Sequence, residues 1–590
     1  MAVREQDFVD VGKRLLRWTV ALAGSATAPW IFAQSLPDAG QLLNEHQQSQ
    51  PSAPQSTEPP PVFELPSDAV REGQSGLRVT LRSIRFTGDT ELAEAEDLQR
   101  LVNPMVGKTL DHAGLQQLTD SLTRYLRGRG YVLARAYLPR QDLTEGNLQI
   151  ALTKGKLQSD AARIEVGGAT RSSTDRLRDI AGAALPQGKA LRAEDLERAL
   201  LLINDQPGIT AQSALERGTE PGSSRLLISA KQGPVLSGGV SGDNYGNRST
   251  GSARGNAQFN LADPLGIGDQ FSLGLSKTTG STIVGAGYSL PLTADGLRLH
   301  AAGSYLRYHV DQEQFRPLNL RGTAKSGSLG LSYPLIRSRL QNLNLSGTYE
   351  YKALKDEALG INLRDRELNN FTVALSGNRF DGLGGGGVTD AGIALTVGQL
   401  DLSGNRGDEF ADRMGARSDG GFHKLNLRLS RLQSLGAASD WTLFAGASTQ
   451  WASGNLDSSE KFLLGGPAGV RAYPVGEASG DHGWLATLEL RRNLDLGLPG
   501  VKLQTLGFVD TGRIWLHEDA WAGSVNNAGD TNRYDLHALG LGANVWVGDF
   551  SVRTAVARTL DNNPGRGLSG LDADGRSSDW RAWLQASLAF

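Results

Sequence analysis

Short segments in which small or apolar residues alternate with polar ones follow one another from residue 235 to the end of the chain. About sixteen such segments are separated by Gly, Asn, Asp and Ser, and the last one is DWRAWLQASLAF (residues 579–590). Alternation sustained over many short segments is typical of a transmembrane β-barrel. Because lipid offers no hydrogen bonds to an open sheet edge, the sheet must close. The pattern therefore predicts a membrane β protein with a sixteen-stranded transmembrane β-barrel over residues 234–590.

The two faces of these segments carry different kinds of side chain. In WTLFAGASTQW (residues 441–451), Trp, Leu and Ala occupy positions 441, 443, 445 and 447, and positions 442, 444, 446 and 448 carry Thr, Phe, Gly and Ser. This distribution describes lipid outside and a wet lumen inside. A soluble β-sandwich array or a repeat solenoid is the rival interpretation, but it needs a regular period and strands that face a dry core.

Two units with the same order of elements precede these segments. The first unit, residues 78–158, has the strand RVTLRSIRFTG (78–88), helices at 93–103 and 111–128, and strands at 131–138 and 146–155. The second unit, residues 159–233, has a strand at 162–168, helices near 172–184 and 192–204, and strands at 209–216 and 223–233. A repeated β-α-α-β-β order predicts two small α/β domains. Each leaves an edge strand free to pair with another extended chain.

The N-terminus carries the pattern of an export signal. Lys13, Arg14 and Arg17 precede an apolar stretch rich in small residues, residues 18–32, which is followed by Ala33 and is too short to span a bilayer. The order predicts a secretory signal peptide over residues 1–33.

A short helix and a linker are predicted next. Residues 34–50 contain Asp38 as a candidate N-cap and the apolar pair Leu42 and Leu43, which together make a marginal helix. Residues 51–77 hold six prolines and have the composition of an extended linker. Such a linker can separate the helix from the α/β units by the thickness of a membrane, or allow the helix to lie inside a pore as a plug. A solvated tail is the alternative.

Composition excludes several classes of function. The net charge of -3 lacks the basic excess of a nucleic-acid-binding surface, and the absence of cysteine excludes disulfides and thiolate metal sites. No G-x-S-x-G or H-E-x-x-H motif is present, and the eight histidines are scattered along the chain. The sequence therefore predicts no enzyme, no catalytic residue, no metal site and no cofactor.

The run LLGGPAGVRAYPVGEASGDHG, residues 463–483, is rich in glycine and contains a single cation, Arg471. It lacks the spacing of a phosphate-binding loop, so the arginine needs another partner. Downstream, Phe508, Asp510 and Gly512 share one face of a predicted strand. Because an aspartate facing lipid is unfavourable, that face is expected to look into the lumen. A solvated loop arginine and an unpaired lumen carboxylate remain the alternatives to a pair.

These features together resemble the TpsB transporters of two-partner secretion, the ShlB/FhaC/HecB family, whose α/β domains are called POTRA domains. The motifs that carry the resemblance are LPRQDLTEGNLQI (138–150), DNYGNRSTG (243–251), NLADPLGIGDQF (260–271), the VRAY motif made of Val470, Arg471, Ala472 and Tyr473, and the F-x-D-x-G motif made of Phe508, Asp510 and Gly512. The resemblance covers essentially the whole chain after the signal peptide.

The resemblance implies a specific site. In this family the loop after the eleventh strand folds into the barrel, and its arginine is held by the aspartate of the later motif. Arg471 is therefore expected to pair with Asp510. Ala472 stands where the family usually has glycine, so a positive φ at this position would cost about 1 kcal/mol.

The resemblance also implies export of an unfolded partner across the outer membrane of a Gram-negative bacterium, with the POTRA domains in the periplasm. The partner is expected to be a large secreted β-helical exoprotein that pairs with an edge strand of the first unit, near the apolar residues Val79, Leu81, Ile84 and Phe86. Further expected partners are outer-membrane lipid and the barrel-assembly machinery, with no nucleic acid and a monomeric state. An insertase of the BamA kind and a passive pore are the alternatives.

Overall fold

The computed structural model describes residues 37–48, 78–158, 163–185, 189–219, 223–436 and 439–590. The predicted signal peptide (residues 1–33) and linker (residues 51–77) lie outside the described residues. Within the described ranges, no helix is both long and apolar enough to cross a membrane. The first element is helix α1 (Ala39–Gln48), inside the range predicted for a helix.

Residues 78–158 form the first module. Its elements are β1 (Arg78–Thr80), β2 (Ser83–Gly88), α2 (Ala95–Val102), β3 (Thr109–Asp111), α3 (His112–Gly128), β4 (Arg135–Tyr137), β5 (Asn147–Thr153) and β6 (Lys156–Leu157). Strand β5 lies between β2 and β4 in a three-stranded sheet, and β1 pairs with β3. The sequence pattern predicted both helices; it did not predict β3, and β4 is shorter than the predicted strand at 131–138.

Helix α3 shows how the sequence builds this module. The Asp111 side chain accepts a hydrogen bond from the backbone N–H of Gly114 at 2.7 Å, which caps the helix. Leucines spaced three and four residues apart then place one apolar stripe against the sheet, namely Leu115, Leu118, Leu122 and Leu126, all buried. Local capping and helical periodicity therefore act together.

Residues 163–233 form the second module, with β7 (Ile164–Gly167), α4 (Thr174–Ala184), α5 (Ala193–Asn204), β8 (Ile209–Arg217) and β9 (Ser223–Gln232). Strand β9 pairs with β6, β7 and β8, so the second sheet borrows a strand from the end of the first module. The outer edge of β8 is free of strand pairing among the described residues.

The apolar residues predicted to lie beside a partner need a correction. Val79, Leu81 and Ile84 are at most 7% exposed and belong to the core of the first module, and Phe86 packs partly buried against that core. Their side chains pack against the two helices and form the core of the module, so they are not available to a partner. What the structure leaves open to another chain is the backbone edge of β2, whose one strand partner among the described residues is β5.

The barrel consists of sixteen antiparallel strands that close on themselves, which confirms the predicted fold. In order around the barrel they are β10 (Leu236–Asp243), β11 (Arg254–Ala262), β12 (Gln270–Lys277), β13 (Ser281–Pro291), β14 (Arg298–His309), β15 (Arg321–Arg337), β16 (Gln341–Ala358), β17 (Ile361–Asp381), β18 (Gly387–Asp401), β19 (Gly420–Ser434), β20 (Trp441–Ala452), β23 (His482–Leu494), β24 (Val501–Trp515), β25 (Arg533–Val547), β26 (Phe550–Thr559) and β27 (Trp580–Ala589). Helix α6 (Arg406–Met414) lies between β18 and β19, and β21 (Phe462–Leu463) pairs with β22 (Ser479–Gly480) between β20 and β23.

The register places the two faces of each strand as the sequence predicts. On β20, the face that carries Trp441 and Trp451 is exposed, and Gln450 on the other face is buried. Large apolar residues such as Leu329, Phe371 and Leu541 cover the outside of the barrel. The lumen face is small and polar over much of its area, for example along Asn342, Asn344, Ser346 and Thr348 on β16.

The second module is hydrogen-bonded to the near end of the barrel. The Nε–H of Arg171 donates to the carbonyl oxygen of Asp263 at 2.8 Å, and the Ser172 hydroxyl donates to the Asp263 carboxylate at 2.6 Å. Arg337 at the end of β15 forms two hydrogen bonds to the Asp205 carboxylate, at 2.6 and 2.8 Å. These contacts fix the module against the turns between strands.

Candidate functional site

Helix α1 lies inside the lumen at the far end of the barrel, away from the modules. Leu42 and Leu43 are 6% and 2% exposed. They pack against apolar side chains that point inward from neighbouring strands, namely Leu306, Leu354, Leu368 and Leu400. Apolar residues on an otherwise polar lumen face therefore form a seat for the helix.

The start of α1 is held by charges. Asp38 accepts a hydrogen bond from the backbone N–H of Gln41 at 2.8 Å, which is the predicted N-cap interaction. The same carboxylate lies 2.8 Å from Arg364 and 3.4 Å from Arg366, both on the lumen face of β17. The backbone N–H of Ala39 donates to Asp356 of β16 at 2.8 Å. The helix is thus attached to the wall through its N-terminus.

Glu45 lies on α1, outside the membrane-spanning strands. It accepts hydrogen bonds from Asn247 at 3.0 Å and from Gln41 at 2.8 Å. Burial raises the pKa of Glu45 to about 7. Loop residue Gly476 approaches both side chains so closely that a Cβ there would lie 2.8 Å from Gln41 and 2.9 Å from Glu45. The helix and the glycine-rich loop therefore touch.

The glycine-rich run follows the eleventh barrel strand, β20, and folds back into the lumen. Strands β21 and β22 form its base, and the segment between them, residues 464–478, is the loop tip. The tip packs against lumen residues of β24–β26 in one buried cluster, whose loop members are Leu464, Val470, Ala472, Tyr473 and Ala478. The loop and α1 together occupy the far part of the lumen.

Arg471 at the loop tip meets Asp510 of β24. Its Nε–H and Nη2–H donate to the two oxygens of the Asp510 carboxylate at 2.8 and 2.7 Å, and its backbone N–H donates to the same group at 3.1 Å. The Asp510 side chain is fully buried. A bidentate pair of this kind fixes the orientation of the guanidinium, which lysine cannot do.

Three further groups complete the surroundings of Arg471. Glu489 of β23 accepts a hydrogen bond from its Nη1–H at 2.7 Å. The guanidinium carbon lies 3.4 Å from the centre of the Phe508 ring, a cation–π contact. Trp583 of β27 donates from its indole N–H to the Arg471 carbonyl oxygen at 2.7 Å. Sequence reasoning missed Glu489 and Trp583, although both lie on the lumen face that strand parity assigns.

Two glycines permit this packing. A Cβ at Gly512 would lie 2.4 Å from the Leu464 side chain and 2.5 Å from the Trp484 carbonyl oxygen, so only glycine lets the loop approach the wall. A Cβ at Gly540 would lie 2.2 Å from the Phe508 ring. Ala472 is buried and does not have a positive φ, so alanine carries no backbone strain at this position. Another alanine of the loop tip, Ala478, has a positive φ of 56°.

A second group of charges lies beside α1, and the sequence motifs gave no indication of it. Glu460 lies in the segment between β20 and β21. Its carboxylate is held between the ammonium groups of Lys352, at 2.7 Å, and Lys424, at 2.6 Å. Asp457 lies 2.5 Å from Arg366. Strand parity could have predicted part of this group, because Arg364 and Arg366 are two residues apart on one strand and therefore share a face.

The described part of the chain contains no group of three or more His, Asp or Glu side chains placed to hold a metal ion. Helix α1 and the inward-folded loop fill part of the lumen, and ion pairs hold both to the barrel wall. The barrel carries the α/β modules at its other end. The fold and site define an outer-membrane transporter.

Comparison with known proteins gives the family. The family model for "Haemolysin secretion/activation protein ShlB/FhaC/HecB" matches residues 222–531, and that for "POTRA domain, ShlB-type" matches residues 79–155. The chain therefore belongs to the ShlB/FhaC/HecB family. It is an outer-membrane transporter of two-partner secretion that exports a secreted exoprotein partner, and its modules lie in the periplasm.

Individual relatives agree with this assignment. The chain is 27% identical over 544 residues to the heme/hemopexin transporter protein HuxB of Haemophilus influenzae, covering 90% of this chain and 93% of HuxB. It is 28% identical over 498 residues to the outer membrane transporter CdiB of Escherichia coli, covering 81% and 79%. The solved structure of CdiB from Escherichia coli has the same fold, with a TM-score of 0.66, 24% identity and coverage of 89% and 93%.

Proposed function

We propose that this transporter carries an unfolded β-helical exoprotein through the barrel lumen, and that the Arg471–Asp510 pair sets the position of the loop during transport. The observation that carries the proposal is the buried bidentate pair at the tip of a loop that fills the lumen. A lumen filled by α1 and the loop does not admit a polypeptide, so both must shift while the chain passes.

The exported chain first meets the periplasmic modules. The free backbone edges of β2 and β8 offer unpaired N–H and C=O groups, and an extended segment can add to either edge as a further strand. Folding of the partner outside the cell supplies the drive, because the chain carries no ATP-binding motif. The protein acts without catalysis and without a cofactor, as a monomer inserted in lipid by the barrel-assembly machinery, and it binds no nucleic acid.

Replacing Arg471 with alanine tests the role of the pair. We expect the Arg471→Ala variant to insert normally and to release at least about 100-fold less partner into the medium, since it leaves the buried Asp510 carboxylate without its cation. Secreted partner is measured by immunoblot, and insertion by heat-modifiable gel mobility. Arg471→Lys should recover only part of the export, because lysine cannot make the bidentate contact.

Arg513 gives a matched control. It pairs with Asp535 at 2.5 Å, but both side chains are more than a third exposed on the outer face. Arg513→Ala should secrete normally. Normal export by Arg471→Ala would contradict the proposed role, and a fall in unrelated outer-membrane barrels on deletion of the gene would favour an insertase.

A further inference from the structure

Four cations line one sector of the lumen wall near its extracellular end. Lys352 lies on β16, Arg364 and Arg366 on β17, and Lys424 on β19. The register places all four on the lumen face, together with Thr372 and Thr396 in the middle of the same sector. Lys352 and Arg366 are only 3% and 4% exposed, so these charges are covered at rest.

The groups that cover them come largely from the two movable elements. Asp38 is the N-cap of α1, and Asp457 and Glu460 belong to the loop between β20 and β23. Asp38 lies 2.8 Å from Arg364, Asp457 lies 2.5 Å from Arg366, and Glu460 lies within 2.7 Å of both lysines. Three side-chain carboxylates from the helix N-cap and the loop therefore already pair with the cations of this sector.

Three further carboxylates face the four cations from elements that stay in place. Asp356 lies 2.7 Å from Arg366, Glu350 lies 3.3 Å from Lys352, and Asp408 of α6 lies 3.7 Å from Arg364. Because Asp408 lies on α6 and not on a barrel strand, the strands themselves carry two carboxylates, Asp356 and Glu350, beside the four cations. Within the described residues, the buried Nε–H of Arg366 has no acceptor even in the closed state, so a donor is left over.

We propose that Lys352, Arg364, Arg366 and Lys424 form a binding surface for acidic segments of the exported chain, and that Asp38, Asp457 and Glu460 mask this surface at rest. The proposal rests on the displacement of α1 and the loop that the proposed function requires. Once these elements move, the sector changes from an excess of anions to an excess of cations. Guanidinium groups can bind carboxylates in bidentate fashion, and a channel wall that carries one sign of charge attracts groups of the opposite sign.

The absence of cysteine from the chain allows a direct test of the wall potential. Ser326 faces the lumen opposite Lys352, so a Ser326→Cys variant places a single thiol beside the sector. Its rates of reaction with an anionic and a cationic methanethiosulfonate reagent are compared in three forms: the full chain, the chain lacking residues 37–48, and that deletion combined with Glu460→Gln. The ratio of anionic to cationic rate reports the local potential.

We expect this ratio to rise at each step, by about sevenfold for each kT of added positive potential, because the anionic rate rises by about 2.7-fold and the cationic rate falls by the same factor. Glu367→Gln in the deletion background is the matched control, because Glu367 lies on the outer face of β17 and its loss should leave the ratio unchanged. Gel mobility confirms that each variant is folded. A ratio that stays constant or falls across the series would overturn the proposal.

Planar-bilayer recordings of the same variants separate this proposal from the proposed function. Decaglutamate should block the current of the deletion variant with Glu460→Gln at a concentration about tenfold below that of decalysine. If deletion of residues 37–48 fails to raise the conductance, the proposal that α1 blocks the lumen and must move is wrong. The thiol ratio then still decides whether this sector of the wall is cationic. If the conductance rises while decalysine blocks better than decaglutamate, the acidic-segment proposal alone is wrong.

Discussion

The two elements that fill the lumen, α1 and the loop tip (residues 464–478), are attached to the barrel in different ways. The loop is joined to the wall at both ends, through β20 and β23, and its arginine is bound by two buried carboxylates. Helix α1 is held by side-chain contacts at Asp38, Asn44 and Glu45, and one of the arginine partners of Asp38, Arg364, has a side chain that is 48% exposed. The comparison indicates that the helix can leave the lumen, whereas the loop can only change its position within reach of its ends.

The apolar contacts show the same difference. Helix α1 contributes two leucines and one alanine to its buried cluster, whereas the loop tip contributes five residues including Tyr473. Fully burying one large apolar side chain stabilises a contact by about 1.5–3 kcal/mol. The loop is therefore the more firmly held element, and variants that disturb its seat should have the larger effect.

After Arg471→Ala, the largest effect is expected from Gly512→Ala. The new methyl group would overlap the Leu464 side chain and the Trp484 carbonyl oxygen, at 2.4 and 2.5 Å from the Cβ position. Overpacking of this kind costs about 1–3 kcal/mol, and here the movable loop has to yield. Secretion should fall by at least about tenfold, measured as partner released into the medium.

Gly507 provides the control on the same strand. It lies on the outer face of β24, and a Cβ there would come no closer than 3.5 Å to a side chain. Gly507→Ala should secrete normally. Equal secretion by the two variants would show that loop seating is unimportant for export.

An intermediate effect is expected from Asp38→Ala. The change removes the N-cap of α1 and its contact to Arg364, and loss of a cap costs about 1 kcal/mol, or about fivefold in the docking equilibrium. The purified channel should conduct about fivefold more often, while secretion continues because the loop is untouched. Asp175→Ala, at an exposed helix start in the second module, is the control. Unchanged conductance in Asp38→Ala would show that the cap does not hold the helix in place.

The smallest effect is a pH dependence of helix docking. Burial raises the pKa of Glu45 to about 7 when α1 is docked, so docking favours the protonated acid and weakens as the pH rises from the ordinary glutamate range through about 7. Between pH 7 and 8 the docked population should fall about twofold relative to the undocked one. Channel open probability measures it, and Glu45→Gln should remove the dependence. A wild-type response that is equally flat would contradict the assignment.

Much of the fold could be predicted because lipid imposes a simple rule on it. Alternation along the strands, such as Trp441 to Trp451, reports which side of a closed sheet faces the membrane, and no long-range information is needed. The helices of the modules were predicted for a similar reason, since capping and leucine spacing, as in α3, are local. The three-residue strand β3 and the two-residue strand β6 were missed because their pairing depends on distant partners.

The site was predictable only in part. The pairing partner of Arg471 came from a family motif, and strand parity supported it by placing Asp510 in the lumen. Glu489, Trp583 and the charges around Arg366 could not be assigned, because strand parity gives the face of a residue but not which lumen residue an inserted segment touches. The four apolar residues of the first module failed as a partner surface for the opposite reason: an alternating apolar pattern looks the same whether it faces a core or a ligand.

The docking of the second module has a consequence for how a passenger is threaded. Its hydrogen bonds reach the turns that join β11 to β12, β13 to β14 and β15 to β16. A peptide handed over from this module therefore arrives on one side of the circumference, next to β11–β16, and not along the barrel axis. Lys352 on β16 lies on that side of the wall, whereas Asp510 on β24 lies on another side of the barrel, so the side of entry decides which part of the wall the passing sequence runs along.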